Sequence, residues 1–442
     1  MHNIFRLIGG LALCGMLDGA CGADLVSIYR EALQADAVYA SARASLQAGN
    51  EKRPQGLSGI LPAITLSANT QHNDRDLQFR NNTPATNSQF NSNGLTVTAT
   101  QPLFRMQNWI TYEQSKNQVS QSEAVFLQAQ QDLIIRVAQS YFDVLLAENN
   151  VTLAAAQRVA FAEQLAQAKR NFEVGTATIT DSNDAQARHD LAVSQEIAAQ
   201  NDLQIKKGVL QQIIGRPPQT LATLSSRFTP ALPAPNNLDS WIEQARLSSL
   251  QVRAARAAAD IATQEVSKNR SGHLPSLDAV ASYSDSATGS GVQGGPGFDS
   301  TTKFIGLQLS MPIYLGGLTN SRVREALANQ EKARQDLENT TRTVELNSRS
   351  AFLGATNGVA QIKALQAALV SSQSSLDSTK LGQEVGVRTQ VDVLNATQQL
   401  ITTRRDYAQA IYAYAINVLK LKAAAGTLGE DDVITVNQWL EK

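Results

Sequence analysis
Most residue types that mark a chemical site are scarce in this sequence. Its 442 residues include 2 cysteines, 4 histidines, 4 methionines and 3 tryptophans, and aromatic residues make up 5%. Both cysteines, Cys14 and Cys21, fall in the first 23 residues. If that segment is removed, the remaining chain has no thiol, no disulfide and no cysteine metal site. Charge of one sign is also lacking: 38 Lys+Arg stand against 39 Asp+Glu, a net charge of −1. That balance excludes a generic basic nucleic-acid binder and a highly acidic disordered chain. Beyond the N-terminus no run of 18 apolar residues occurs, so no transmembrane helix is expected. His72, His189 and His273 are isolated and have no ligand spacing. No Ser/His/Asp arrangement or Walker loop is visible. Gly289–Gly294 fits G-x-G-x-x-G but lies in a polar loop and opens no helix, so it is not read as a nucleotide site. No enzyme activity, metal or cofactor is expected.

The sequence is rich in Ala, Gln, Ser and Leu, residues that suit long helices better than a compact aromatic core. Met1–Arg6 carries one Arg, Leu7–Leu17 is a short apolar run, and small residues precede Asp24. This reads as a cleaved export signal, residues 1–23, cut after Ala23. The competing readings are a buried N-terminal helix and a lipid anchor at Cys21, the latter opposed by Asp18 three residues earlier.

From Asp24 onward the chain is one unit written twice. Glu173–Asp181 matches Glu384–Asp392 at an offset of 211, Ser58–Pro62 matches Ser271–Pro275 at 213, and Leu95–Phe104 parallels Ile305–Tyr314 at 210. The expected first repeat is 24–230 and the second is 237–442. Between them the proline-rich stretch 231–236, entered from Pro230, is a stiff extended connector. Each copy reads helix, strand, loop, strand, very long helix, turn, helix, with no compact core of its own. Asp24–Ser58 and Asn237–Ser271 are the leading helices. Ile64, Leu66 and Ala68, then Leu95, Val97 and Ala99, alternate with polar residues as strands do. Asn73–Asn93 is the expected loop between them. The second copy repeats this with Leu277, Ala279, Ala281 and Tyr283, a loop at Ser284–Thr302, then Ile305, Leu307, Leu309 and Met311.

From Arg105 to about Phe172 there is no proline or glycine, so a helix there reaches about 100 Å. Gly316 to about Leu381 is comparable, interrupted by Gly354 and Gly358. Val119, Phe126 and Leu133 recur every seven residues, as do Ile362, Leu369 and Leu376, which predicts a packed, supercoiled seam. Turns at Gly175 and Gly386 send shorter helices back over Asp181–Ile214 and Val391–Ala425. The leading helix of each copy is expected to complete the return by end-to-end stacking. Phe104, Trp109, Tyr112 and Tyr314 flank the strand-to-helix joins, where either an aromatic interface belt or ordinary packing would sit. Four strands with alternating faces carry the signature of an outer-membrane barrel, or else of a small sheet capping a bundle. A membrane barrel needs about 8 or more strands. Closure by symmetry with other copies is then required, as a dimer or a trimer.

The chain resembles the TolC family of outer-membrane channel proteins over essentially all of its length after the signal. The carrying motifs are Gly272–Pro275, Ser310–Gly317, Ser371–Asp377 and, most specifically, Val385–Ala396. The resemblance implies a mainly α fold with a small β part: a homotrimer forming a long α-helical barrel and a twelve-stranded outer-membrane β-barrel. It also implies a periplasmic tunnel docked on an adaptor protein and an inner-membrane transporter of ABC or RND type. The outer-membrane lipid is the other partner, and nucleic acid is not one. The turns become the periplasmic tip, where Val174, Gly175, Val385 and Gly386 are the expected docking positions for the adaptor. Asp181 and Asp392 are repeat equivalents, so a trimer gathers three of each as a cation-selective ring; helix capping is the other reading. The family's second acid is replaced by Asn395, with Asp184 at the matching place in the first copy. Arg388 is expected to bridge to a neighbouring turn at Thr180 and Asp181 and hold the tip closed. The family's helping tyrosine is Gln383 here. The favoured function is a gated exit duct for proteins or small molecules. The alternative is an exported trimeric coiled-coil structural or adhesive protein without a pore.

Overall fold
The computed structural model describes residues 23–441 except 79, 81–83, 226–227 and 291–294. The expected signal segment, apart from Ala23, lies outside the described residues. So do four of the six residues of the glycine motif at 289–294.

The two longest helices are α4, Met106–Glu173, with 68 residues, and α8, Leu318–Glu384, with 67. Each is followed by a turn and a returning helix about half as long: α5, Ile179–Ile214, and α9, Gln390–Ala424. The leading helices are α1, Leu25–Ala35, α2, Ala37–Asn50, and α3, Lys52–Ser58, in the first copy. In the second they are α6, Leu238–Ser248, and α7, Leu250–Arg270. A short α10, Glu430–Asn437, closes the chain. Among the long helices α4 has the most neighbours. Toward the turns α4 packs between α5 and α9, with α8 beyond α9; toward the sheet its neighbours are α2 and α3 on one side and α7 on the other. The end of α5 meets the end of α1 at Gly215 and Ala35, and Gly426, just past α9, presses on Ser248 and Ser249. This is the expected end-to-end stacking. Gly354 and Gly358 do not interrupt α8; a Cβ at either would crowd Asn417 or Tyr414 of α9.

The strands β1, Ala63–Leu77, β2, Thr86–Phe104, β3, Ser276–Thr288, and β4, Phe298–Ser310, form one antiparallel sheet in the order β1-β2-β3-β4. Register places Ile64, Ala99, Ala281 and Ile305 side by side, and next to them Leu66, Val97, Tyr283 and Lys303. Every apolar position expected on the strands therefore lies on one face except Met311, which falls just past the end of β4, and Ile64 and Ile305 are 73% and 86% exposed. The opposite face carries Thr65, Ser67, Thr96, Thr98, Ser282 and Ser284, with Phe90, Val280, Phe298 and Phe304 among its apolar exceptions. Among the described residues β1 and β4 each pair on one side only, so both edges of the sheet are open.

Three expectations need correction. Both leading helices are broken: Asp24–Ser58 because Asp36 adopts an extended backbone and caps α2 through the Tyr39 N–H, and Asn237–Ser271 at Ser249, where the backbone also leaves the helical region. The loops Asn73–Asn93 and Ser284–Thr302 are shorter than expected, since polar Asn, Ser, Thr and Gln continue the ladders to Leu77↔Thr86 and Thr288↔Phe298. In addition, a compact core exists where none was expected. Tyr29, Tyr141, Phe142, Leu210 and Leu419 pack with Leu221, Leu428, Val433 and Leu440 at mid-length. Beside it Phe228, Tyr414 and Trp439 cluster with ring centroids 5.0–6.0 Å apart, Tyr414 stacked on Trp439 and Phe228 tilted against both. The proline-rich stretch is held there by Tyr414, whose hydroxyl donates to the Ala231 carbonyl at 2.6 Å.

Candidate functional site at the helix turns
Both turns are built by the same local chemistry. In the first, the Val174, Gly175 and Thr176 N–H groups return to the carbonyls of Arg170, Phe172 and Asn171 at 2.8–3.1 Å. In the second, Val385, Gly386 and Val387 return to Leu381, Gln383 and Gly382 at 2.9–3.1 Å. Gly175 and Gly386 sit at φ 79° and 81°, a left-handed conformation in which a Cβ is strained, so glycine is required at both. Around them Val174, Val385, Val387, Leu381 and Ile179 are exposed, an apolar rim on a tip with little else to bury it.

Each returning helix then opens with a capping box. Thr178 and Thr389 are the N-caps, and Asp181 and Asp392 answer three residues later. Asp392 Oδ2 accepts the Thr389 N–H and hydroxyl, both at 2.9 Å, and the Asp392 N–H donates to Thr389 Oγ1 at 3.2 Å. The Thr178–Asp181 pair repeats this at 2.9–3.3 Å. Both aspartates therefore cap within the chain, whatever they do between chains. Asp392 is partly exposed, and the Thr389 N–H holds its carboxyl below the usual range, with the Thr389 hydroxyl and Arg388 assisting.

The other expected residues are placed less uniformly. Asp184 and Thr180 are exposed. Asn395 Oδ1 accepts from Arg188 Nη2 at 3.0 Å, a bond between α5 and α9 that ties the two copies together. Gln383 bonds to Gln390, whose amide reaches the Gln164 carbonyl of α4 at 3.5 Å. Gln157 bonds Gln398 at 2.6 Å one level further from the tip, and Leu394 is buried against Phe161 and Ala192. Arg188 and Gln390 are contributions that sequence reasoning misses; nothing in their local pattern separates them from many other polar helix positions. Arg388 lays its stem across Gly382, to whose carbonyl its backbone N–H donates at 3.1 Å, and its guanidinium forms no hydrogen bond or ion pair among the described residues, with Thr180 and Asp181 or with any other group. Its bridge to Thr180 and Asp181 is not made within one chain. Among the described residues no cluster of His, Cys, Asp or Glu is placed to hold a metal ion.

At the sheet end the helices begin at a second polar anchor. Arg105, the N-cap of α4, grips the buried Asp278 of β3 with two bonds at 2.5–2.8 Å. Phe104, Trp109 and Tyr314 are exposed around it.

With this geometry in place, comparison with known proteins is direct. The profile of the family described as Outer membrane efflux protein matches residues 28–216 and again 241–427. The chain is similar to the outer membrane protein TolC of Vibrio cholerae, 33% identical over 442 residues, which are 100% of this chain and 99% of that one. It is also similar to the proteases secretion protein PrtF of Dickeya chrysanthemi, 30% identical over 98% of this chain and 94% of that one. Among solved structures, the CmeC outer membrane channel of Campylobacter jejuni superposes with a TM-score of 0.80. It is 18% identical and covers 100% of this chain and 98% of that one.

Proposed function
The chain belongs to the outer membrane efflux protein family and is an exit duct of the outer membrane, and from that premise we propose how it closes and what it works with. The observation that carries the reading is the sheet: one face apolar and exposed in register, the other polar, and both edges open. Such a sheet is at rest only when other copies close its edges within lipid. Three chains supply twelve strands and a continuous helical wall, each chain bringing its two repeats, 24–230 and 237–442, on either side of the connector 231–236.

The channel then narrows at the turns. Arg388, whose guanidinium makes no hydrogen bond or ion pair in its own chain, reaches the Thr180 and Asp181 turn of the neighbouring protomer and holds the closed tip by charge-assisted bonds. Asp181 and Asp392 keep their capping bonds and line the constriction as negative charge, with Asp184 adding to it and Asn395 neutral. The exposed rim of Val174, Gly175, Val385 and Gly386 is the surface offered to a periplasmic adaptor, which couples the duct to an inner-membrane transporter of ABC or RND type. PrtF is named for protease secretion, and the same task of passing a secreted protein or a small molecule is assigned here. In planar bilayers the wild type should conduct poorly, and Arg388→Ser should raise single-channel conductance several-fold. Unchanged conductance in that variant would remove the latch, while a protein that reaches the outer membrane but never conducts would favour a structural spacer.

A further inference from the structure
The duplication lets each junction be compared with its own counterpart. Asp36 lies between α1 and α2, and Ser249 lies 213 residues later between α6 and α7; the two preceding helices are both 11 residues long. Asp36 is 4% exposed. Its carboxylate accepts the Tyr39 N–H at 2.6 Å and both arms of the Arg136 guanidinium at 2.9 Å. A carboxylate thus fills the N-terminus of α2, where unpaired N–H groups and the helix dipole favour negative charge.

The second junction keeps the backbone and lacks both charges. Ser249 stands where Asp36 does, and at the offset of 211 set by the helix turns Arg136 becomes Asn347. Where the first junction is filled, the second is hollow. A cavity of about 440 Å³ lies between α4, the first turn of α7, α8 and the last turn of α9. Ser249 and Asn347 line it together with Leu250 and Gln251 of α7, Lys420 of α9 and Asp132 of α4. Ser249 is 3% exposed, makes no capping bond, and its hydroxyl has no hydrogen-bond partner among the described residues. The hydroxyl belongs to the cavity lining, and at the head of a 21-residue helix it stands beside the N–H groups that a helix start leaves unpaired.

We propose that this cavity binds a small free carboxylate, held by the first N–H groups of α7, the Ser249 hydroxyl and the Asn347 amide, in the place that the Asp36 side chain occupies in the first half. The Lys420 ammonium adds attraction at the rim. The Asp132 carboxyl shares the cavity and opposes a second negative charge, so the ligand sits toward α7 and binds better once that charge is removed.

The test uses the full-length protein in detergent and acetate as the probe, titrated by calorimetry against chloride at constant ionic strength. Saturable acetate binding that chloride does not reproduce is expected. Ser249→Asp tethers a carboxylate at the site and should abolish it, Asn347→Arg should tighten it about tenfold, and Asp132→Asn should tighten it several-fold. Acetate behaving as chloride does, or binding that survives Ser249→Asp in a protein that still forms its oligomer, would overturn the proposal. If Ser249→Asp does not fold, a crystal of the wild type soaked in bromoacetate decides. Anomalous bromine density at the start of α7 supports the site, and its absence there rejects it.

Discussion
Thr389 and Asp392 bond reciprocally, so a change at either disturbs the start of α9, but only Asp392 carries charge. This separates capping from selectivity. Thr389→Ala should loosen the first turn of α9, at about 1 kcal/mol of helix stability, and leave the preference for cations intact. Asp392→Asn keeps an oxygen acceptor and should reduce cation selectivity in reversal-potential measurements. Equal selectivity in both variants would mean that Asp392 only caps. Asp36 is a structural case at the same scale. The Arg136 guanidinium holds its carboxyl below the usual range against desolvation, and the Tyr39 N–H assists. A depressed carboxyl contributes stability that is fully present above its ordinary value of 3.8 and is lost as pH falls through the lower folded value. Asp36→Ala should therefore lower stability by about 2 kcal/mol at neutral pH. Arg136 is 35% exposed, so water takes up part of the loss. The variant should also show a flatter decline in acid unfolding below pH 4, and a curve parallel to the wild type would contradict the pairing.

Strand faces set the element-scale behaviour. Ile305 lies in the apolar row with Ile64, Ala99 and Ala281, whereas Thr98 lies on the opposite face in the row of Thr65 and Ser282. Ile305→Arg places a charge against hydrocarbon and should cost about 2–4 kcal/mol per chain. Loss of heat-resistant oligomer in the outer-membrane fraction would be the readout. Thr98→Arg faces the wet side and should assemble normally while changing conductance; the reverse pattern would mean that the faces are misassigned. These faces were legible in the sequence because period-two alternation survives at Leu66, Val97 and Leu307 whatever the ends of the strands do. The length of α4 was legible because a stretch without Pro or Gly has no internal stop, and the turns are announced by Gly175 and Gly386. Strand ends were not legible, since Asn, Ser and Thr pair as well in a ladder as they sit in a loop. The break at Asp36 was hidden because Asp caps a helix without leaving any gap in the apolar spacing. The core around Tyr141 was hidden too, as it joins residues near 25, 140, 220 and 435 that no local pattern connects. At the tip, capping by Asp181 and Asp392 could be read from the Thr three residues before each, while Arg188–Asn395 depends on how α5 and α9 lie across α4.

Closure belongs to the whole molecule, because neither the sheet nor the tip is complete in one chain. Among the described residues the sheet leaves both edges unpaired, and the Arg388 guanidinium makes no hydrogen bond or ion pair at the opposite end of helices about 100 Å long. On the proposed latch, symmetry would satisfy both at once: the contact that pairs β1 of one copy with β4 of the next would also bring the α8–α9 turn of one copy beside the α4–α5 turn of its neighbour. The scarcity of cysteine makes this directly testable, since Cys14 and Cys21 are the only two and both precede the described residues. A double variant, Asp181→Cys with Arg388→Cys, carries one thiol on each turn. Within a chain Arg388 makes no bond to Asp181, so a disulfide formed under mild oxidant should join chains and run as a covalent trimer on non-reducing gels. The oxidised protein should conduct less than its reduced form and should block export by the intact assembly until a reductant is added. Each single variant should stay monomeric on the gel and conduct more than the wild type, because each removes one side of the latch. A double variant that cross-links only within a chain, or not at all while the oligomer is intact, would place the two turns apart and leave the tip open by default.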